Sequence, residues 1–294
     1  MITGIFPLTL TLLCIESAVL YIAGRPRFKK YFSILPPVFW IYLVPMLASN
    51  AGIIPASHPL YSFISANLLP AALILLLISC DIKSILKLGK PALIMMLAGS
   101  LGIMAGIPLV FSFMRYWVGN DMWSGFGALS GSWIGGSANM IAVKEAVNTP
   151  DAVFMPMVIV DTIVPYAWMG VLIAGASFQK RYDSWNRSNT SILQGLTIDT
   201  ADTGTSGSES LRPSAAAVLL FITVSGVLLS AFVSGRLPVV KDIISRYTWI
   251  IITSSLFGIA VSFTPAKELA NRGASGLGYF LLYFVLVSIG ARAS

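Results

Sequence analysis

Histidine occurs once in 294 residues, cysteine twice, and Asp, Glu, Lys and Arg together make up only 11% of the chain. The lone His58, beside Pro59 in a short loop, cannot build a histidine-rich metal centre. Cys14 and Cys80 both fall in apolar segments, which argues against a disulfide framework or a thiolate metal site. Soluble domains carry roughly 25% charged residues. A charged content of 11% with a mean hydropathy of +0.82 therefore excludes an ordinary soluble fold.

What the chain has in abundance is hydrocarbon, with 56% hydrophobic residues. Apolar runs of about 18 residues or more are long enough to cross roughly 30 Å of bilayer as helices. Such runs are read near 4–22, 34–54, 62–80, 91–114, 152–176, 214–234, 244–264 and 276–291, with a polar-interrupted ninth at 122–147. The expected fold is thus all-α, an integral multi-pass membrane protein, placed in the plasma (inner) membrane if the source is bacterial. The net charge of +7 lies in short clusters between spans, "RPRFKK" and "KSILKLGK", which act as cytoplasmic topology signals and not as a nucleic-acid surface. The first span carries Glu16 and has its basic cluster after the apolar run, so it is not a cleavable signal. The N-terminus is placed outside and Arg25 to Lys30 inside.

One segment, 178–213, is rich in Ser, Thr, Asp and Gly and has too few apolar residues to pack a core. It reads as a flexible soluble linker between a first membrane repeat, 1–177, and a second, 214–294. Its sequons at Asn186 and Asn189 follow from that composition. The repeats align at an offset of 210 to 211: Gly24-Arg25 with Gly235-Arg236, Pro55 with Pro265, Ser65 with Ser275, Leu76 with Leu286 and Ser84 with Ser294. The second repeat is therefore truncated in this chain. A duplication of this kind calls for roughly 90 further residues, with a second glycine-rich interruption near about position 341. Inverted repeats need an odd number of crossings each, which favours a broken or re-entrant 122–147 segment over a simple span.

The interruption itself reads "SGSWIGGSANM", Ser130 to Met140. Gly131, Gly135 and Gly136 each lower helix stability by up to about 1 kcal/mol relative to alanine, so the helix is expected to break here. Backbone groups freed by a break cannot face lipid and must line a cavity or be buried in protein. Freed amides suit an anion, while freed carbonyls and the oxygens of Ser132, Ser137 and Asn139 suit a hard cation such as Na⁺. A close helix–helix contact explains the small residues equally well, but not Asn139.

The following span holds "VIVDTIVPYAWMG", in which Asp161 lies ten residues in from Asp151. A carboxylate at that depth costs at least a few kcal/mol unless paired or ion-bound. Thr162 adds a hydroxyl, and Pro165 frees the carbonyl near Asp161 by removing a donor. Asn139 and Asp161 are the expected Na⁺ ligands and members of one site. Glu16 and Asn67, the latter three residues before Pro70, are secondary candidates. Asp81 beside Lys83 reads as a solvated pair, and Lys144 with Glu145 as the interfacial end of the interrupted segment.

The pairing of "GSWIGGSANM" with "VDTIVPYAWMG" resembles the uncharacterised YjcL-like family of bacterial and plastid membrane proteins, known by a domain-of-unknown-function label. That family is distantly similar to the glutamate:sodium, 2-hydroxycarboxylate and bile-acid:sodium symporters. The resemblance implies a scaffold domain and a moving core, with glycine-rich broken helices holding sodium and substrate. By position it implies Gly135, Gly136, Ser137 and Asn139 as the first broken element and Asp161 as an adjacent ion-site residue. The second such element is absent here.

The expected function is secondary active transport of a small organic anion coupled to Na⁺, with no cofactor beyond a coupling ion, Na⁺ or H⁺. The alternatives are a proton-coupled transporter using the same Asp161, or an ion channel or non-transporting sensor. The partners expected are the organic anion, the lipid bilayer and, as a further option, a second copy in a homodimer. An intramembrane enzyme is disfavoured, since there is no Gly-x-Ser-Gly motif and no histidine in a span to activate Ser132 or Ser137. No arginine lies clearly within a complete apolar span to declare a carboxylate substrate.

Overall fold

The computed structural model describes residues 2–80, 89–176, 178–186, 213–240, 244–270 and 273–293. Ten longer helices carry the architecture: α1 (Ile5–Ala23), α2 (Pro37–Asn50), α3 (Pro59–Ile78), α4 (Gly89–Val118), α5 (Trp123–Gly135), α6 (Ser137–Ala146), α7 (Asp151–Ala176), α8 (Pro213–Ser234), α9 (Arg246–Ser262) and α10 (Ala274–Arg292). No β-strand occurs among the described residues, only an isolated bridge between Val240 and Ile244.

Among the described residues six stretches are long and apolar enough to cross a membrane: Ile5–Ala23, Pro59–Ile78, Ala92–Val118, Asp151–Leu172, Ala215–Ser234 and Ala274–Arg292. The runs expected at 34–54 and 244–264 are shorter helices, of 14 and 17 residues. Pro36 and Pro37 open α2, so helix cannot continue backwards through them, and the preceding Pro26–Phe32 segment turns 85° away. Counted as one bent span, this pair makes a seventh. At the start of α9, Ser245 and Thr248 cap each other's backbone N–H groups and fix where the helix begins.

The most enclosed helices are α3 and α10, which pack on each other. Helix α10 also packs on α2 and α1, and α3 on α9 and α8, while α1 meets α2 and α8 meets α9. Glycine permits the close crossings, since lipid supplies no hydrophobic drive and contact area must come from near approach. A Cβ at Gly258 in α9 would stand 2.9 Å from the Leu77 Cβ and 3.1 Å from the Ile74 carbonyl oxygen of α3. Gly290 in α10 presses on the Tyr42 carbonyl and on Pro45 of α2. Helix α4 lies outermost, with Met95, Leu101, Phe113 and Trp117 exposed.

The interrupted segment is a hairpin of two half-helices. Gly136 adopts φ +85° and ψ −178°, a conformation only glycine takes without strain, and separates α5 from α6. The half-helices then fold against each other. A Cβ at Gly131 would lie 2.9 Å from the Asn139 carbonyl oxygen and 3.0 Å from Val143. The hairpin's two ends meet as well, with the Thr149 hydroxyl donating to the Ser124 carbonyl at 3.2 Å. Helix α5 runs alongside α7, Gly125 against Val153 and Met157.

Two sequence expectations meet the structure differently. The segment read as a flexible linker from 178 begins with a helix, Gln179–Asn186, in which the Tyr182 and Trp185 rings meet at a tilt of 52° with centroids 5.9 Å apart. A one-turn spacing of two aromatic rings favours helix locally even in a polar segment. The rest of that linker, with Asn189, and the Asp81–Lys83 pair lie outside the described residues.

A side chain at Gly290 has no space, so Gly290→Val is expected to destabilise the protein by about 1–3 kcal/mol and to lower its melting temperature in detergent. Gly102→Ala, with nothing within 4 Å of its Cβ position, is expected to change stability by no more than about 0.5 kcal/mol. Equal melting curves for the two variants would show that the α2–α10 crossing tolerates repacking.

Candidate functional site

The hairpin brings its tip to the middle of α7. Asp161 follows Asp151 by ten residues, about 15 Å along the helix axis at 1.5 Å per residue, and α5 runs far enough beside α7 to reach it. There the Ser132 hydroxyl donates to Asp161 Oδ2 at 2.8 Å, and the Trp133 indole lies against the same carboxylate. This is the contact that joins the glycine-rich run to the mid-span acid.

A cavity of about 620 Å³ opens beside this contact. Of the residues singled out from sequence, Ser132, Gly136, Ser137, Asp161 and Thr162 line it. Among the described residues Asp161 supplies the only charged side chain in its wall. The remainder is apolar and aromatic: Trp133, Phe154, Trp168 and Met169 from the hairpin side and α7, Val38 and Leu286 from α2 and α10. Thr162 is nearly buried and spends its hydroxyl on the Val158 carbonyl at 2.8 Å, so its contribution to the cavity is steric.

The break also releases backbone groups. Gly136 closes α5 by donating to the Ser132 carbonyl, and its own carbonyl accepts from Asn139 and Met140. The N–H groups of Ser137 and Ala138 find no backbone partner among the described residues, as expected of the first residues of a helix. In α7, Pro165 has no N–H to give the carbonyl four residues back, which is that of Asp161. The site thus offers a carboxylate, hydroxyls and a carbonyl released by Pro165 that suit a small cation, and two amides that suit an anion.

Four sequence candidates, Gly135, Asn139, Asn67 and Glu16, lie outside this wall. Asn139 is not part of the cavity wall; its carboxamide folds back onto Gly135 and fills the space a Cβ there would need. Its role in the structure is to close the neck of the hairpin. Asn67 lies on an exposed face of α3 and donates to the Phe63 carbonyl of its own helix at 2.8 Å. Glu16 is fully buried in α1, away from the cavity, and neither carboxyl oxygen has a hydrogen-bond partner among the described residues.

Lys144 and Glu145 stand in the last turn of α6, where protein encloses them. Lys144 is 4% exposed and pairs with Glu145 at 2.9 Å and Asp151 at 2.7 Å. Arg292 of α10 approaches Glu145 at 3.1 Å and Asp151 at 3.6 Å, and donates to the Ser65 hydroxyl of α3 at 3.4 Å. A lysine so far from water is tolerated because two carboxylates offset its desolvation. Beside them the Thr248 hydroxyl of α9 donates to the Ala146 carbonyl at 2.6 Å. These contacts tie the base of the hairpin and the start of α7 to α3, α9 and α10. The Lys144-Glu145 dipeptide hints at an ion pair, but nothing local in sequence announces Arg292 as its partner.

Removing one member of this buried cluster leaves a charge uncompensated, so Lys144→Met is expected to cost about 3–5 kcal/mol of stability. Glu16, having no partner to lose, responds oppositely: Glu16→Leu is expected to leave the melting temperature unchanged or raise it. Thermal denaturation of both variants in detergent checks the pair, and a Glu16→Leu protein as unstable as Lys144→Met would overturn the contrast.

Over residues 11–294 the chain matches the family described as "Protein of unknown function (DUF819)". It is also 27% identical over 140 residues to the "Uncharacterized membrane protein YjcL" of Bacillus subtilis (strain 168). That match spans 47% of this chain and 35% of the relative's length. No solved structure matches. With its six apolar helices, the chain is an integral, multi-pass membrane protein. A family match over nearly its whole length places the chain in the DUF819 family of proteins of unknown function.

Proposed function

We propose that this protein is a secondary active transporter of the plasma membrane that couples Na⁺ to the movement of a small organic anion, with its site at the hairpin tip. The observation that carries this reading is the Ser132–Asp161 contact at the edge of the cavity, halfway along a span. A carboxylate there is expensive unless it binds something, and the apolar wall around it holds no second charge.

The hairpin supports the same reading. Its ends lie together at the Asp151 end of α7 while its tip reaches Asp161, the arrangement of a segment that enters the membrane and returns to the same side. The helix pairing supports two related repeats. Exchanging α1, α2 and α3 for α8, α9 and α10 turns each of the contacts α1–α2, α1–α10 and α2–α10 into another that is present, α8–α9, α8–α3 and α9–α3, and leaves α3–α10 unchanged. With α1 entering from the outside, as the charge clusters direct, and the hairpin read as re-entrant, α8 starts on the inside and the two repeats run in opposite senses.

In this mechanism the Asp161 carboxylate, the Ser132 hydroxyl and the carbonyl freed by Pro165 hold Na⁺. The amides of Ser137 and Ala138 receive the anion's negative group, and Trp133 and Trp168 cover its apolar part. Sodium offsets the Asp161 charge, so the loaded hairpin moves past the apolar faces of α2 and α10 at lower cost than the ion-free one. Ser132 has a carboxylate beside it but no base of the kind that activates a serine nucleophile, so transport is proposed and not catalysis.

The test is Asp161→Asn in proteoliposomes and in thermal-shift titrations. An amide keeps one oxygen but loses the countercharge, so Na⁺ stabilisation is expected to weaken by at least about tenfold, which is about 1.4 kcal/mol, and Na⁺-driven uptake to stop. Proton coupling instead predicts that counterflow survives while pH-driven accumulation fails. Unchanged Na⁺ response and unchanged uptake in the variant would remove Asp161 from the mechanism. Flux down the substrate gradient alone, with no ion dependence in the wild type, would identify a channel.

A further inference from the structure

A second cavity, of about 570 Å³, opens between the last turns of α1 and the first turns of α2. Val19, Ile22 and Val44 line its apolar part, and Arg27, Tyr31 and Trp40 line it as well. Arg27 and Tyr31 belong to the Pro26–Phe32 segment, which lies at 85° to α2, an orientation that lays it along the membrane surface if α2 stands across the bilayer. We propose that this groove binds an anionic phospholipid, with the phosphodiester against Arg27 and an acyl chain along Val19, Ile22 and Val44. The site is separate from the transport reading and does not depend on it.

Charge carries the choice of occupant. Residues 25–30 hold two arginines and two lysines, and the sequence contains no Asp or Glu between Glu16 and Asp81. The Arg27 guanidinium makes no ion pair, hydrogen bond or ring contact among the described residues, whereas Arg25 sits over the Tyr21 ring at 4.3 Å. A cation at the membrane surface that has no protein anion as partner among the described residues is matched by the acidic lipids of the cytoplasmic leaflet, the side to which this cluster is assigned. The groove supplies the other half of the ligand's chemistry. Its lining is mostly apolar and aromatic, and Trp40 is held in place by donating its indole N–H to the Leu35 carbonyl at 3.2 Å and by the Phe32 ring at 6.4 Å. Aromatic rings at this level are the usual anchors of the headgroup region.

The experiment uses the full chain purified in a neutral detergent. Retention of phosphatidylglycerol and phosphatidylcholine is compared by native mass spectrometry, and thermal stabilisation is measured with each lipid and with inorganic phosphate. Phosphatidylglycerol is expected to be retained preferentially. One interfacial cation contributes about a fivefold gain in binding, so Arg27→Gln is expected to lose about that factor and Arg27→Lys to keep most of it. Val44→Trp, which fills the groove without touching the charge, is expected to reduce retention of both lipids. Equal retention of the two lipids, an Arg27→Gln protein with undiminished preference, or stabilisation by phosphate as large as by phosphatidylglycerol would each overturn the proposal.

Discussion

Inside hydrocarbon a backbone N–H or C=O must be paired or shielded, and the rest of this structure follows from where that rule is strained. Gly136 breaks the helix at a point where unpaired groups cannot meet lipid. Folding α6 back onto α5 shields them, and the small Gly131 and Gly135 let the half-helices approach closely enough to do so. The same fold carries the released amides to the side of Asp161. Pro165 repeats the device within α7, removing the donor that the Asp161 carbonyl would otherwise meet. Polar groups that a bilayer penalises are thus gathered beside one cavity.

Two kinds of contact hold the hairpin unit in place. Between α3, α10 and their neighbours, association rests on close packing, with Gly258, Gly278 and Gly290 at the crossings. Between the hairpin base and those helices it rests on charge, through Lys144, Glu145, Asp151 and Arg292. The distinction matters for motion. Interdigitated glycine crossings favour a rigid unit, whereas a cluster of ion pairs at one end of the hairpin allows discrete alternative pairings. The proposed transport cycle needs both, a fixed frame and an element that changes partners.

Much of the site was legible along the chain because its signals are local. Three glycines with Ser132, Ser137 and Asn139 mark a break inside an apolar run, and an aspartate ten residues past the next polar end marks mid-span depth. Other assignments from the same residues went differently in space. Asn139 and Ser132 are both polar and both near the break, yet only Ser132 reaches Asp161, because a break of one residue turns α6 and carries Asn139 onto Gly135. Asn67 looked like Asn139 in sequence and lies exposed on the face of α3, bonded to its own helix.

Composition and the lengths of apolar runs determined by themselves that this is an all-helical, multi-pass membrane protein, because the bilayer sets those lengths. The intrinsic preferences of glycine likewise determined that the 122–147 segment breaks. Only the tertiary structure decided that the broken halves form a hairpin with its ends together, and that Arg292 meets Glu145 across 147 positions. It alone decided that Glu16 is buried with no hydrogen-bond partner among the described residues. Those outcomes depend on which helices pack side by side, and helices that are apolar on every face carry no sequence pattern that names their neighbours.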